Sequence, residues 1–337
     1  MLLQKGIVTT RRRIIITGLI LFLVLYVYVS WSGPAEDISC HYLETNDALP
    51  SADDYSFSPP DKSIFFHETS CRANLTSRQS CAIESAARAH RDFQIHVLFS
   101  SPVSEAALDE LSLKQLTIFD NIRFSRIHIV KYAEGTPVAD LVNSGALNNT
   151  QWKISHTSDV LRFLTLYKWG GIYLDLDVVV AKPLDYLTKN WAARESDTAV
   201  GTGALAFSRD KIGRRIAAAT IREIKTNFRG DDWGHNGPGV ITRVLKKMCS
   251  TTNVTLMSAA YCGGFEVYKP ELLNPIEWQQ GKEYFEAGEL KNRGAFVYHV
   301  WNHVTNAHKV DKNSPYAQLA RRFCPLTYDL YGDQFGT

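Results

Sequence analysis

Charge of one sign is scarce in excess here: 37 Lys and Arg stand against 35 Asp and Glu, leaving a formal balance of +2 over 337 residues. With no basic run interleaved with aromatics beyond the N-terminal segment, that balance removes the electrostatic case for a nucleic-acid partner. Internal repeats and low-complexity tracts are absent, which excludes repeat arrays. Cysteine is sparse, with six in all and none before Cys40. None of them forms a C-x-x-C pair or a Cys/His array, so nothing signals zinc. Long apolar runs are missing too, with one exception at the N-terminus.

That exception is the uncharged stretch Ile14 to Trp31, preceded by Arg11, Arg12 and Arg13. It is long enough to cross a bilayer, and its basic flank belongs on the cytosolic side. A cleaved signal peptide is the competing reading, but a signal core is usually shorter and no A-x-A site precedes Ser32-Gly33-Pro34. The expectation is a single-pass type II protein: residues 1–13 a cytosolic tail, 14–31 a transmembrane signal-anchor, 32–62 a luminal stem and 63–337 the working domain. Three sequons, at Asn74, Asn148 and Asn253, fall on the luminal side. All six cysteines follow the anchor, which suits an oxidising compartment. Cys249–Cys262 and Cys71–Cys81 each bracket a short sequon-bearing loop and are the preferred bridges.

The stem has scattered Pro, acids and Ser without helical or strand period. After it, Ser63-Ile64-Phe65-Phe66 reads as a buried strand ending at His67-Glu68-Thr69, and Cys81 to His90 as a helix. Ile95 to Phe99 and Ile127 to Val130 read as the next strands. Strands alternating with helical segments argue for an α/β fold with parallel strands, whose ligands collect at the strands' carboxyl ends.

The only D-x-D aspartate pair, Asp175-Leu176-Asp177, ends the apolar run that follows Gly170-Gly171. Two acids at the end of a buried strand call for a divalent cation or for solvent. Fully extended, their carboxylates would stand roughly 7 Å apart on the face that also carries Tyr173. Either the strand breaks at Asp175 so that they converge, or one of them acts through a metal-bound water. Tyr173 could stack on a base or sugar, or simply pack. Upstream, Thr157 or Ser158 could cap a helix over 159–169, with Val160, Phe163, Leu164 and Tyr167 on its core face. Asp159 and Arg162, spaced i, i+3, either grip a ligand or form a surface ion pair of little energetic weight.

These residues carry a resemblance. Phe66-His67-Glu68-Thr69-Ser70, Cys81 to Arg88, Ser158 to Asp177, Trp233-Gly234-His235-Asn236-Gly237-Pro238 and His299-Val300-Trp301-Asn302 together resemble the α1,4-galactosyltransferase family of DXD-containing retaining glycosyltransferases. The likeness extends to its α1,4-N-acetylglucosaminyl and N-acetylgalactosaminyl relatives. It implies a GT-A-type, Rossmann-like glycosyltransferase domain in a Golgi membrane protein, using Mn2+ and UDP-Gal or UDP-GalNAc. The implied acceptor is a terminal sugar of a glycolipid, with a glycoprotein glycan as the other option. It implies metal ligation by Asp175, Asp177 and His299, and donor-sugar contacts from Asp159 and Arg162. His67, Glu68 and Thr69 would receive the uridine. Trp233, His235 and Gly237 would line the donor pocket, with Asp231 and Asp232 near it. The galactosyltransferase pattern that the chain resembles carries Gln where this chain has Asn236, within W-G-H-x-G-P, so sugar choice could differ if that amide touches the substrate.

Chemically, such parts would transfer a sugar by neutralising charge on the departing diphosphate. No residue type or spacing singles out a nucleophile, which favours attack by the acceptor on the face the diphosphate leaves. A catalytically inactive or lectin-like glycan-binding protein is the alternative class. The intact acid pair, with Asp159 and Arg162 present, argues against it.

Overall fold

The computed structural model describes residues 36–44 and 47–336. The expected cytosolic tail and membrane anchor lie outside them. Among the described residues no helix is long and apolar enough to cross a membrane.

The strands are β1 (Ser63–Glu68), β2 (Gln94–Phe99), β3 (Ile122–Arg126), β4 (Gly171–Leu174), β5 (Val178–Val180), β6 (Trp191–Arg194), β7 (Val200–Phe207), β8 (Glu266–Tyr268) and β9 (Val297–His299). Seven of them form one sheet in the order β3-β2-β1-β4-β7-β6-β8, while β5 and β9 pair separately. Expected parallel pairing holds in the half β3-β2-β1-β4. Beyond β4 the sheet turns mixed, with β7 antiparallel to both β4 and β6. Between β4 and β7 the chain runs through β5, a 3-10 turn and β6 without a helical crossover, and a tight turn at Glu195–Ala199 brings β7 back antiparallel to β6.

The longer helices are α1 (Ser77–Ala89), α2 (Lys153–Trp169), α3 (Lys211–Asn227), α4 (Pro238–Met248) and α5 (Pro315–Phe323). α1 starts earlier than expected because Thr76 and Gln79 form a reciprocal capping box. α2 also starts early, at Lys153, so Thr157 and Ser158 lie inside it rather than at its cap. It ends as expected at Gly170, whose φ of +63° and close approach to the Phe207 carbonyl exclude a side chain. Val160, Phe163 and Leu164 are buried, whereas Tyr167 points outward. The third strand is displaced: Ile122–Arg126 pairs with β2, and Ile129 opens a short helix.

Apolar residues fill both faces of the sheet. Ile64, Phe66, Ile172 and Leu174 pack with Ala82, Ile83 and Ala86 of α1. Phe65, Tyr173, Leu205 and Phe207 pack with Val160, Phe163 and Leu164 of α2. Alternation along β4 thus sends Tyr173 to the α2 side and its neighbours to the other.

Much of the stretch read as a stem is packed instead. Ile38, Leu49 and Ala52 are buried, and Asp47 pairs with the buried Arg126 at 3.1 Å. These few anchoring side chains outweigh a sequence rich in turn formers. Cys40 of this stretch bonds Cys71, and Cys81 bonds Cys324, replacing the expected Cys71–Cys81 bridge. With α1 beginning at Ser77, Cys81 sits in its second turn and meets the end of α5. Cys249–Cys262 is bonded as expected. Asn148 and Asn253 are exposed, and Asn74 is half-buried.

Candidate active site

Between the parallel half of the sheet and the C-terminal segment lies a cleft of about 270 Å³. Asp175, Asp177, His299, Asp159, Arg162, Tyr173, Trp233 and the first-strand tip His67-Glu68-Thr69 all line it.

The metal candidates meet because β4 stops at Asp175. A turn follows, closed by the Val178 N–H donating to the Asp175 carbonyl at 3.1 Å. Of the two geometries open from sequence, the strand break is the one adopted. β5 then runs antiparallel to β9, placing Val178 opposite His299. One ligand atom each from Asp175, Asp177 and His299 lie within 4.8 Å of one another. Two carboxylates and an imidazole converging in a partly open cleft suit a hard or borderline divalent ion. The other cluster of candidate ligands, Cys40, His41 and Cys71, has its cysteines locked in a disulfide and offers no thiolate.

Asp177 is held rigidly. It accepts a bond from the Asn302 N–H at 2.6 Å and pairs with His299 Nε2 at 3.1 Å. Burial alone would raise its pKa, but the His299 pair and the Asn302 bond bring it below the ordinary value. His299, stacked on Trp301 at 3.9 Å, moves the opposite way: burial opposes its charge, and Asp177 prevails to raise it. A cation would need the imidazole lone pair that the pairing with Asp177 engages. Gly203 on β7 faces this cluster, where a Cβ would come within 2.6 Å of the His299 ring.

Arg162 is the hub of the neighbouring polar layer. Its guanidinium lies 3.3 Å from Asp159 Oδ1 and 3.2 Å from Asp175 Oδ1, and donates to the Thr202 carbonyl at 2.8 Å. Arg162 and Asp159 are both buried, so the surface ion-pair alternative fails. Burial opposes the charge on Arg162, yet Asp175, Tyr173 and Asp159 keep its pKa raised. Burial pushes Asp159 up to about 7 despite Arg162. Gly237 makes room for that carboxylate, since a Cβ there would stand 2.4 Å from Asp159 Oδ1. Tyr173 is buried; its hydroxyl donates to Asp175 Oδ1 at 2.7 Å and its ring lies under Arg162. It positions the acid rather than offering a stacking face.

At the first-strand tip, His67 Nε2 meets Thr165 Oγ1 at 3.0 Å, and burial pushes its pKa down to about 3. Glu68 accepts from the Ser70 N–H at 3.0 Å. Thr69 donates to the Ile154 carbonyl at 3.2 Å. Trp233 stacks on His303 at 4.4 Å, where both line the cleft.

The rest of the W-G-H-N-G-P motif behaves differently. Asn236 is fully buried, accepting from the Arg229 N–H at 3.0 Å and donating to the Arg229 carbonyl at 2.5 Å. Both ends of its amide are spent on the loop, so the expected substrate contact is corrected to a loop clasp. His235 meets the Asn227 carbonyl at 2.9 Å and does not line the cleft. Asp231 and Asp232 are exposed beside Arg229. Sequence reasoning also missed a lining carboxylate, Glu195, which lies in a stretch of ordinary turn composition.

Two family models match the chain. One, described as an alpha 1,4-glycosyltransferase conserved region, covers residues 209–331; the other, a glycosyltransferase sugar-binding region containing the DXD motif, covers residues 76–196 and so includes Asp175 and Asp177. Lactosylceramide 4-alpha-galactosyltransferase of Rattus norvegicus is 34% identical over 79% of this chain and 74% of its own length. The Homo sapiens protein of the same name is 33% identical over 81% of this chain and 78% of its own. Alpha-1,4-N-acetylglucosaminyltransferase of Homo sapiens is 23% identical over 79% of this chain and 80% of its own. With relatives 33 to 34% identical over 79% or more of this chain and 74% or more of their own length, the chain belongs to the α1,4-glycosyltransferase family.

Proposed function

We propose that this protein is a retaining α1,4-glycosyltransferase that moves galactose or N-acetylgalactosamine from a UDP-sugar to the terminal sugar of a glycolipid, on a GT-A-type scaffold. The observation that carries the reading is the convergence of Asp175, Asp177 and His299 beside the buried Arg162–Asp159 pair in one cleft. Asp175, Asp177 and His299 would hold a divalent cation, Mn2+ by family habit, which when bound supplies Lewis-acid stabilisation of the diphosphate leaving group. Arg162 and Asp159 present donors and an acceptor to the hydroxyls of the transferred sugar. His67, Glu68 and Thr69 stand where the uridine would enter, at the carboxyl end of β1. Trp233 supplies an apolar wall at the mouth. The related galactosyltransferases act, by their names, on lactosylceramide, which supports a glycosphingolipid acceptor here. The N-terminal apolar run supports a Golgi membrane location, type II, with this domain luminal.

UDP release with manganese, screened over UDP-sugars and acceptors ending in β-galactose or N-acetylgalactosamine, tests the reading. Linkage analysis of the product should return an α1,4 bond. Binding of glycans without any UDP release would favour the lectin-like alternative.

A further inference from the structure

Glu195 is a carboxylate of the cleft that neither the metal candidates nor the Arg162 cluster employs. It follows β6 directly, after a register shift between Ala192 and Arg194. Its N–H donates to the Ala199 carbonyl at 2.9 Å, closing a tight hairpin into β7. Irregularities of this kind re-aim side chains beside functional sites, and here the result is a carboxylate that lines the cleft.

Its position follows from the glycines of β7. A Cβ on Gly201 would lie 3.5 Å from Glu195 Oε2; a Cβ on Gly203 would lie 3.1 Å from Asp175 Oδ2 and 2.9 Å from His299 Nδ1. Alternate residues of a strand face the same way about 7 Å apart. Glu195 and the metal candidates therefore stand side by side along one wall, separated by backbone that carries no side chain. Among the described residues, none makes a hydrogen bond or ion pair with this carboxylate. Burial raises its pKa, with His299 and Arg162 opposing and Asp175 reinforcing. A half-buried acid without a hydrogen-bond partner of its own is less well solvated than in water, and a cationic ligand group would offset that cost.

We propose that Glu195 is a further catalytic residue of the transfer, facing the anomeric carbon and ring oxygen of the donated sugar and stabilising the positive charge that grows there. The inference rests on the proposed sugar transfer. As the C1–O bond to the diphosphate breaks, both electrons leave with the UDP oxygen. The acceptor hydroxyl oxygen forms the new bond to C1, and its proton passes to the departing phosphate oxygen. Glu195 ends unchanged, having acted only through its charge.

Glu195→Gln keeps the shape and removes the charge. It should lower kcat about a hundredfold or more, with the melting temperature held or raised and the affinity for UDP in manganese, read by calorimetry, unchanged. Glu195→Asp should fall between this variant and the wild type. A Glu195→Gln kcat within threefold of wild type would overturn the proposal. So would a parallel loss of UDP affinity, which would make the residue a support of the metal site, or a hexosyl adduct on Glu195 in the mass spectrum, which would make it a nucleophile. A wild-type enzyme that transfers no sugar from any UDP donor would overturn the functional reading as well, whereas an active wild type with an indifferent Glu195→Gln sinks this inference alone.

Discussion

Arg162 stands 3.3 and 3.2 Å from Asp159 and Asp175; Arg229 stands 2.9 and 3.9 Å from Asp231 and Asp232. Both are one arginine between two aspartates, and both include an i, i+3 pair. Side chains in the first set are 7 to 22% exposed, and those in the second 47 to 64%. In the first, withdrawal from water magnifies each interaction, and Asp159 rises to about 7 while Arg162 is held charged. In the second, water does most of the solvation and the pairing is incidental. Spacing in the chain cannot separate the two cases; the surrounding helix and sheet do.

The comparison breaks first at Asp175, which Arg162 faces, and at Asp177 beside it. On the proposed function Asp175→Asn and Asp177→Asn should each reduce transfer by roughly a hundredfold to a thousandfold, since each would remove a charge that holds the cation. Asp232→Asn should leave transfer unchanged. Manganese titration followed by calorimetry separates a lost ion from a lost fold, and full turnover of either D-x-D variant in excess chelator would end the metal reading.

Next in size is the arginine contrast. Arg162→Ala strands the buried Asp159 and the partly buried Asp175, and should cost about 3 kcal/mol of stability in addition to activity. The residue therefore cannot be read by activity alone, as a surface pair could have been. Arg229→Ala should alter neither transfer nor melting temperature measurably. Urea denaturation of both variants, alongside UDP binding, tests the pair; equal stability losses would remove burial as the deciding variable.

Buried histidines sharpen the same point on the pH axis. Burial drives His67 to about 3 and both His41 and His96 to about 4, all below the ordinary 6.5. A histidine with a depressed folded pKa binds fewer protons folded than unfolded. Its contribution is thus fully present above 6.5 and is lost as pH falls toward the folded value. Each should withdraw about 1.4 kcal/mol per pH unit below 6.5. Denaturant midpoints at pH 7 and pH 5.5 should fall accordingly, and His96→Phe, beside Phe65, should flatten the slope. A midpoint independent of pH would contradict the neutral state of all three.

Legibility in the sequence followed the range of the interaction. The D-x-D pair, the strand tip at His67 and the Gly170 stop are local patterns, and each stands where periodicity and turn chemistry put it. The Cys40–Cys71 and Cys81–Cys324 bonds are not local, and choosing by loop length paired Cys71 with the wrong partner. Antiparallel β7 was hidden because the strands between it and β4 are short, and one of them, β5, pairs with the distant β9 instead of with the main sheet. Glu195 was hidden for another reason: Arg194-Glu195-Ser196-Asp197 reads as a solvated hairpin, and only the register shift in β6 turns the glutamate inward.

The smallest effect on sugar choice among the residues of the cleft and its supporting loop is expected at Asn236. Its amide clasps the N–H and the carbonyl of Arg229 and reaches no cleft surface. Asn236→Gln adds a methylene to a fully buried clasp, which should strain the loop and cost about 1 to 3 kcal/mol. Asn236→Ala should cost a similar amount by leaving two backbone groups unpaired. Neither change alters a surface that a sugar could touch. The ratio of kcat/KM for UDP-Gal over UDP-GalNAc should therefore stay within about twofold, because a specificity change of tenfold needs a difference of about 1.4 kcal/mol between the two transition states. Donor competition assays on Asn236→Gln check this directly. A tenfold shift in the ratio at unchanged melting temperature would return Asn236 to the sugar pocket and erase the distinction between the 229–237 loop and the Asp175 turn.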